Sequence, residues 1–291
     1  MNEFLLKGIP PILWINLDRS KDRSEYMNNL FDEYNLLHTR ISGCDGNNYK
    51  DFCIIDDNYI QENKDKKYEI GTLCSHLKAI EYFANSDDLG DLIIITEDDL
   101  SFEYLPYWGY KLSSYISFTP KDFEILQLAQ TYNSQKILES FLQDNYILRI
   151  RKHPINCVWG AVAYAIKKSC AKKIVDKFIR KIDGKYDLNY LKQYCYNEAF
   201  VRVTLLSDYF LYKYNITYTI PLFTTNNDFD TNIHKDETTN KYDVDRDDLP
   251  ETHAKSKQIL GENIKSQYEE MKKIQLERLE KLRKAKNSLT I

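Results

Sequence analysis

The first stretch with a clear structural preference is Ile12-Leu13-Trp14-Ile15-Asn16-Leu17, an apolar run that follows Pro10-Pro11. Its length and β-branched content predict a buried strand. Asp18-Arg19-Ser20 breaks it, and from Ser24 to Tyr34 the spacing turns helical, with Tyr26, Leu30 and Tyr34 one turn apart. Strand, polar turn and helix, in that order, open many nucleotide-binding α/β domains.

Asp45 to Lys67 is polar and predicts a loop with one short helix. From about Thr72 to Asn85 the periodicity is helical again, with Leu73, Leu77, Ile80 and Ala84 on one face. After the turn Ser86-Asp87-Asp88-Leu89-Gly90 comes Leu92-Ile93-Ile94-Ile95-Thr96, the most apolar stretch of the chain. A run without alternation predicts a central strand covered on both faces. Further strands are expected at Phe123–Ala129, Tyr146–Arg151, Val158–Ile166 and Ile216–Leu222. Helices are expected at Lys168–Lys181, with Ala171, Val175 and Phe178 on one side, and at Tyr190–Leu206. This alternation predicts an α/β class with a mostly parallel central sheet.

Thr224 to Pro250 is poor in apolar residues, and a loop of that length is commonly functional or disordered. From Glu251 the chain is charged and helix-forming, with Tyr268, Met271, Leu279 and Leu282 on a weak stripe. The expected organisation is one domain over residues 1–250 and a charged C-terminal helix over 251–291. That helix either packs on the body or makes a homodimer, and its heptads are too irregular for a coiled coil.

Composition narrows the function classes. At 291 residues with 43% hydrophobic content, the chain can bury a core of ordinary size. A net charge of −4 argues against a protein built to neutralise nucleic-acid phosphates. The N-terminus lacks the charged-then-apolar pattern of a secretory leader, and no apolar run has the length of a membrane span. The six cysteines are scattered without a Cys-x-x-Cys pair, and so read as reduced thiols. The expectation is a cytoplasmic protein with no transmembrane segment and no nucleic-acid partner.

The candidate chemistry lies just after the most apolar strand, at Glu97-Asp98-Asp99. Acids at a strand end stand where open α/β sheets bind ligands. Three of them in a row repel one another unless a cation compensates. A hard ion such as Mn²⁺ or Mg²⁺ takes oxygen ligands and bridges carboxylates to a diphosphate. On an extended backbone Glu97 and Asp99 would point the same way and could share one metal. The plainer alternative is a solvated acidic turn.

Five blocks, in order, resemble glycosyltransferase family 25, which includes lipooligosaccharide and collagen galactosyltransferases. "WINLDRSKDRSEYM" is similar to the family's opening, and "EIGTLCSHLKAI" to its Gly-x-x-x-Ser-His block. "LIIITEDDL" resembles its acidic metal motif, "WGAVAYAIKKSCAKKIV" its Gly-x-x-x-Tyr-x-Ile segment, and "SDYFLYKYNITYTIPLF" its closing Asp-x-Phe-Leu block. Together they span roughly Pro11 to Phe223.

The resemblance implies a GT-A type fold, a nucleoside-diphosphate sugar donor, Mn²⁺ (or Mg²⁺) on the diphosphate, and inversion at the anomeric carbon. Carried onto this chain, it puts Asp99, with Glu97, at the metal, and Asp98 beside them on the donor. Asn16, Leu17, Asp18 and Arg19 stand at the first strand end and would hold the nucleotide. Arg23 would add positive charge for the diphosphate, or is a helix-surface arginine. Ser75 and His76 match the Ser-His pair; His76 either touches the donor or shapes the pocket from the start of its helix. Adjacent residues cannot supply the nucleophile–base geometry of a hydrolase triad. Lys78 is either part of the site or simply exposed.

Asp208 matches the family's late aspartate and is a candidate for the base that an inverting transferase needs, with Glu198 as a rival. A helix cap or ion-pair partner is the alternative for Asp208. Trp159 reads as a core residue or a sugar-stacking face. The chain departs from the family after its late strand, where "TTNNDFDTNIHKDE" stands, and there His234 is the candidate to complete the metal shell. The implied activity is transfer of a hexose, galactose or glucose, from a UDP-sugar to a hydroxyl on a glycan or protein. Two alternatives remain: a binding module that has lost turnover, and a phosphatase or nuclease built on the acidic strand end.

Overall fold

The computed structural model describes residues 2–61, 66–132, 138–139, 142, 147–154, 158–197, 202–203, 205–226 and 249–288. It is a mixed α/β fold around one eight-stranded sheet. Strand β1 (Ile12–Asn16) leads into helix α1 (Lys21–Glu33) and then β2 (His38–Ser42), which lies parallel beside β1. Helix α2 (Lys66–Asn85) crosses to β3 (Leu92–Glu97), parallel to β1 on its other side, and a tight turn leads to the short β4 (Leu100–Ser101). The second half of the sheet holds β5 (Ile125–Ala129), the short β6 (Arg151–Lys152) and β7 (Ala163–Lys167). Helix α3 (Lys168–Phe178), helix α4 (Ser207–Lys213) and β8 (Thr217–Thr225) complete the body, and helix α5 (Leu249–Ser288) follows.

The sheet order is β2-β1-β3-β7-β5-β8-β4, with β6 paired to β8. β7 runs antiparallel to both β3 and β5, while β8 is parallel to β5. Five strands therefore share one direction, and β7 is inserted against them in the middle. The short β4 and β6 also run against β8, so the sheet is mixed, with a parallel first half.

Successive strand residues point to opposite faces, and here each face has its own core. Leu13, Ile15, Ile93 and Ile95 meet Leu73, Leu77, Ile80 and Phe83 of α2, with Ile174 and Phe178 of α3. Ile12, Trp14 and Ile94 meet Met27 and Phe31 of α1 on the other side, with Leu126, Leu128 and Leu222. Two covered faces explain why neither β1 nor β3 alternates between apolar and polar residues.

The structure shifts several sequence expectations. In α1 the buried residues are Arg23, Met27 and Phe31, one position away from the half-buried Tyr26 and Leu30. The aromatic Tyr26 sits at the rim because its hydroxyl needs a partner, which it finds in the Leu100 carbonyl at 3.0 Å. Helix α2 begins at Lys66, six residues before Thr72, since Lys66-Lys67-Tyr68-Glu69 extends it without a breaker. Between Asp45 and Gln61 lie a 3-10 turn at Gly46–Asn48, two short helices (Tyr49–Phe52 and Asp57–Gln61) and the two-residue strand Cys53–Ile54.

The strand expected over Val158–Ile166 is split: Val158–Trp159 and β7 are separated at Gly160, whose φ of +101° favours glycine. Of the strand expected over Tyr146–Arg151, Arg151 alone among the described residues 147–151 is strand, within β6. Of the helix expected over Tyr190–Leu206, the described residues are helical only as far as Lys192. A five-residue helix, Leu188–Lys192, is followed by paired strands Tyr196–Asn197 and Arg202–Val203, where Tyr and Val side chains favour extended backbone.

Helix α5 packs on the body only through its first half. Leu260 and Ile264 are buried, Gln267 Oε1 accepts from the Ile147 amide at 2.7 Å, and Tyr268 meets Tyr107 edge-on. Beyond Tyr268, every described side chain through Leu282 is exposed. No helix among the described residues is long and apolar enough to cross a membrane. Cys44, Cys53, Cys74, Cys170 and Cys195 are free thiols, and Cys157 lies outside the described residues.

Candidate active site

In the register of β1 and β3, Ile15 stands opposite Glu97, so both strands end at the same level. A cleft opens there, at the carboxyl edge of the parallel strands where such sheets bind ligands. One wall carries Asn16, Leu17, Arg19 and Arg23, a second carries Ser75 and His76, and the floor carries Glu97, Asp98 and Asp99. Cys44, Asp45 and Gly46, with Tyr68 and Thr72 of α2, close the remaining side.

The three acids have three different environments. Asp98 is buried and fully engaged: Oδ1 accepts from Arg23 at 2.7 Å and Oδ2 from Asn16 Nδ2 at 2.8 Å. Burial still pushes its carboxyl above the usual range, outweighing the Arg23 guanidinium. Arg23 is therefore neither on the helix surface nor free for a ligand's charge; it locks α1 to the end of β3. Asn16 joins the same lock, since its Nδ2 also reaches the Ser20 carbonyl and its Oδ1 accepts from Arg40 Nε at 2.8 Å.

Glu97 is the last residue of β3 and keeps part of its surface open to the cleft. Its Oε1 lies 3.1 Å from His76 Nε2, and the other ring nitrogen of His76 lies 3.1 Å from the Tyr164 hydroxyl. His76 is wholly buried in the middle of α2, not at its start, so it shapes the floor from beneath.

Asp99 is in the turn before β4. Its Oδ1 is buried and has no hydrogen-bond partner. Burial, reinforced by the charges of Glu97 and Asp98, pushes its carboxyl up to about 7. The expected alternation that would aim Glu97 and Asp99 the same way does not apply, because the strand ends between them. Among the described residues, no three His, Cys, Asp or Glu side chains converge to hold a metal by themselves.

The remaining predicted residues are spread around this floor. Asp18 points outward and pairs with Arg40 at 2.5 Å and Ser42 at 2.8 Å, which hold its carboxyl below the usual range. Arg19 forms an exposed ion pair with Asp45 across the cleft mouth. Ser75 donates to the Gly71 carbonyl and accepts from the Cys44 amide at 2.8 Å, tying α2 to the cleft wall. Lys78 lies outside the cleft, bonded to the Ser42 carbonyl.

Asp208, in the first turn of α4, accepts from the Gly160 amide at 3.0 Å and from the Tyr209 amide at 2.7 Å. Burial raises its carboxyl above the ordinary range, the two amides oppose that, and the negative charge of Glu97 adds to it. Helix α4 packs against α2, the helix that carries Ser75 and His76. Glu198 and His234 lie outside the described residues, and of Trp159 only the backbone is described.

Sequence reasoning missed Arg40, Tyr164 and two glycines. A Cβ on Gly71 would lie 2.7 Å from the Cys44 carbonyl oxygen and 2.9 Å from the Gly46 amide, and one on Gly46 would meet the Lys67 carbonyl at 2.3 Å. The two glycines let the Cys44–Gly46 loop lie directly on α2. The glycine three residues before Cys74 was visible within a quoted block, but its role as a contact was not.

The family profile described as Glycosyltransferase family 25 (LPS biosynthesis protein) matches residues 9–192, more than half of the chain. The matched span holds every cleft residue named above and stops short of Asp208. No curated protein matches the chain.

Proposed function

The chain belongs to glycosyltransferase family 25, and we propose that it is a metal-dependent, inverting transferase that moves a hexose from a UDP-sugar to a hydroxyl acceptor. The supporting observation is the charge of the cleft floor. Three carboxylates meet there, Arg23 is consumed by Asp98, and Asp99 Oδ1 is buried without a partner. A buried carboxylate with no countercharge is costly unless a cation arrives. That state fits a divalent ion whose remaining oxygen ligands come from a donor diphosphate.

In this reading Asp99 would hold Mn²⁺ or Mg²⁺, with Glu97 as the second carboxylate, directly or through water. When bound, the ion neutralises the charge that develops on the leaving diphosphate. Asp98 serves the site by fixing α1 and β1 against β3, so it positions the donor pocket without touching the ion. Arg19 and Asp45 form an exposed pair at the mouth, where the arginine can turn from Asp45 to a phosphate. Leu17 and the main chain after Asn16 offer the nucleotide a wall.

Asp208 is the proposed base. A carboxylate has room for about four hydrogen bonds, and the two backbone amides leave capacity for an acceptor hydroxyl. Its raised pKa suits a group that must take a proton during attack on the anomeric carbon. The parallel first half of the sheet, with its ligand edge at Asn16 and Glu97, supports a GT-A type fold. The family description supports a lipopolysaccharide-type glycan acceptor, and the proposal takes galactose or glucose as the transferred sugar and the cytoplasm as the compartment.

Isothermal titration of the purified chain with UDP, with and without Mn²⁺, tests this directly. Binding that requires Mn²⁺ and is lost in Asp99→Asn supports it. Equal UDP affinity with and without the metal sinks the metal role, and absence of UDP binding in both cases points to a module without turnover.

A further inference from the structure

The far half of α5 is a basic, amphipathic surface on an otherwise acidic protein. From Met271 to Ser288 the sequence holds seven Lys or Arg and two Glu, a net charge of +5; the whole chain carries −4, so the rest carries −9. Four of those basic residues, Lys281, Arg283, Lys284 and Lys286, fall within six positions without an acid. The segment is helical to Ser288.

Its apolar residues are uncovered. Met271, Ile274, Leu279 and Leu282 are 37, 43, 55 and 66% exposed. At about 100° per residue, these four fall within an arc of roughly 140°. Arg278 lies inside that arc, where its apolar stem can lie along the stripe while the guanidinium reaches outward. The helix leaves the body after Tyr268, and no described residue covers the stripe.

We propose that the C-terminal half of α5 is a membrane-surface anchor that lies in the interface of an anionic phospholipid bilayer. Charge complementarity selects this partner. An apolar stripe flanked by Lys and Arg fits acyl chains bordered by anionic headgroups. A second copy of the same helix in parallel would bring the basic clusters together, and like charges oppose that pairing. The segregation of +5 from −9 also orients the molecule, because the acidic body is repelled by the surface that attracts the helix. This inference is independent of the proposed chemistry in the cleft.

The test uses the full chain in a flotation assay with phosphatidylcholine vesicles, either pure or containing phosphatidylglycerol. The chain is expected to float with the anionic vesicles only and to be released as salt rises. Each basic residue near the surface contributes about fivefold to partitioning. Lys281→Glu/Lys284→Glu/Lys286→Glu is therefore expected to weaken binding by more than about a hundredfold. Leu279→Asp/Leu282→Asp should abolish it by removing the apolar stripe, with unchanged thermal unfolding because these side chains pack on nothing described. Lys172→Glu, an equal charge change per site on exposed α3, should leave binding intact. Binding without preference for anionic vesicles, no binding to either kind, or a dimer in light scattering that Leu279→Asp/Leu282→Asp dissolves would each overturn the proposal.

Discussion

Arg23 Nη1 lies 2.7 Å from Asp98 Oδ1 in a buried ion pair that joins the first helix to the end of the central strand. The pair engages the arginine buried beside the acidic run, while His76 lies against Glu97. The next residue, Asp99, keeps a buried carboxyl oxygen without a hydrogen-bond partner. Structure and chemistry are thus divided between neighbouring carboxylates.

Removing one partner of that pair should damage the fold before it affects binding. Arg23→Met is expected to cost about 3–5 kcal/mol, because Asp98 would stay buried and uncompensated. Urea unfolding checks the value. Arg23→Met combined with Asp98→Leu should recover much of it, since an apolar pair replaces a buried charge.

Asp99 should behave in the opposite way. An unfolded aspartate titrates near 4, whereas the folded carboxyl is pushed up to about 7 by burial and by Glu97 and Asp98. The folded state therefore holds this proton more tightly. The resulting stability is fully present below about pH 4 and is lost as pH rises through about 7. Metal-free wild type should lose thermal stability relative to Asp99→Asn between pH 5 and pH 8, measured as the difference in Tm. A constant difference across that range would show that Asp99 does not carry the charge.

Gly71→Ala is expected to be destabilising by about 1–3 kcal/mol through overpacking. The new methyl would meet main-chain atoms of Cys44 and Gly46, which cannot rotate away as a side chain could. The displaced loop forms one wall of the cleft, so weaker UDP binding should accompany the lower Tm. Calorimetry on one sample reads both, and a stable variant with normal UDP affinity would contradict the close approach.

Asp208→Asn should separate donor binding from transfer. The Gly160 and Tyr209 amides donate to different carboxylate oxygens, so the single amide oxygen keeps one of the two bonds and a modest drop in Tm should accompany the change. Losing the base should lower the transfer rate by about a hundredfold or more while leaving UDP affinity within a few-fold. Comparable turnover of wild type and Asp208→Asn would move the role to another residue, with Glu198 the next to replace.

Much of this was readable from the chain alone. The unalternating runs at Ile12 and Leu92 announced strands with two buried faces, and the acids after Thr96 announced the ligand edge. Asn16, Arg23, Ser75 and His76 were picked out from blocks that turned out to share one cleft. Their roles were harder to read. Arg23 and His76 are buried partners of Asp98 and Glu97, and pairing across 75 and 21 positions leaves no local periodic trace. The α1 face was misplaced by one residue because Tyr26 is amphipathic and Met27 is not. Over 190–206, tertiary pairing of two short strands overrode a weak helical spacing. Gly71 depended on contact with a distant loop, which spacing does not encode.

All walls of the cleft come from Ile15 to Asp99, the first third of the chain, whereas Asp208 comes from α4, some hundred residues later, which packs against α2. On the proposed reading, donor recognition and acceptor chemistry are consequently written in separate stretches of one polypeptide. A hybrid chain that keeps the first hundred residues and borrows its later strands from a relative would inherit its nucleotide from one parent and its acceptor from the other.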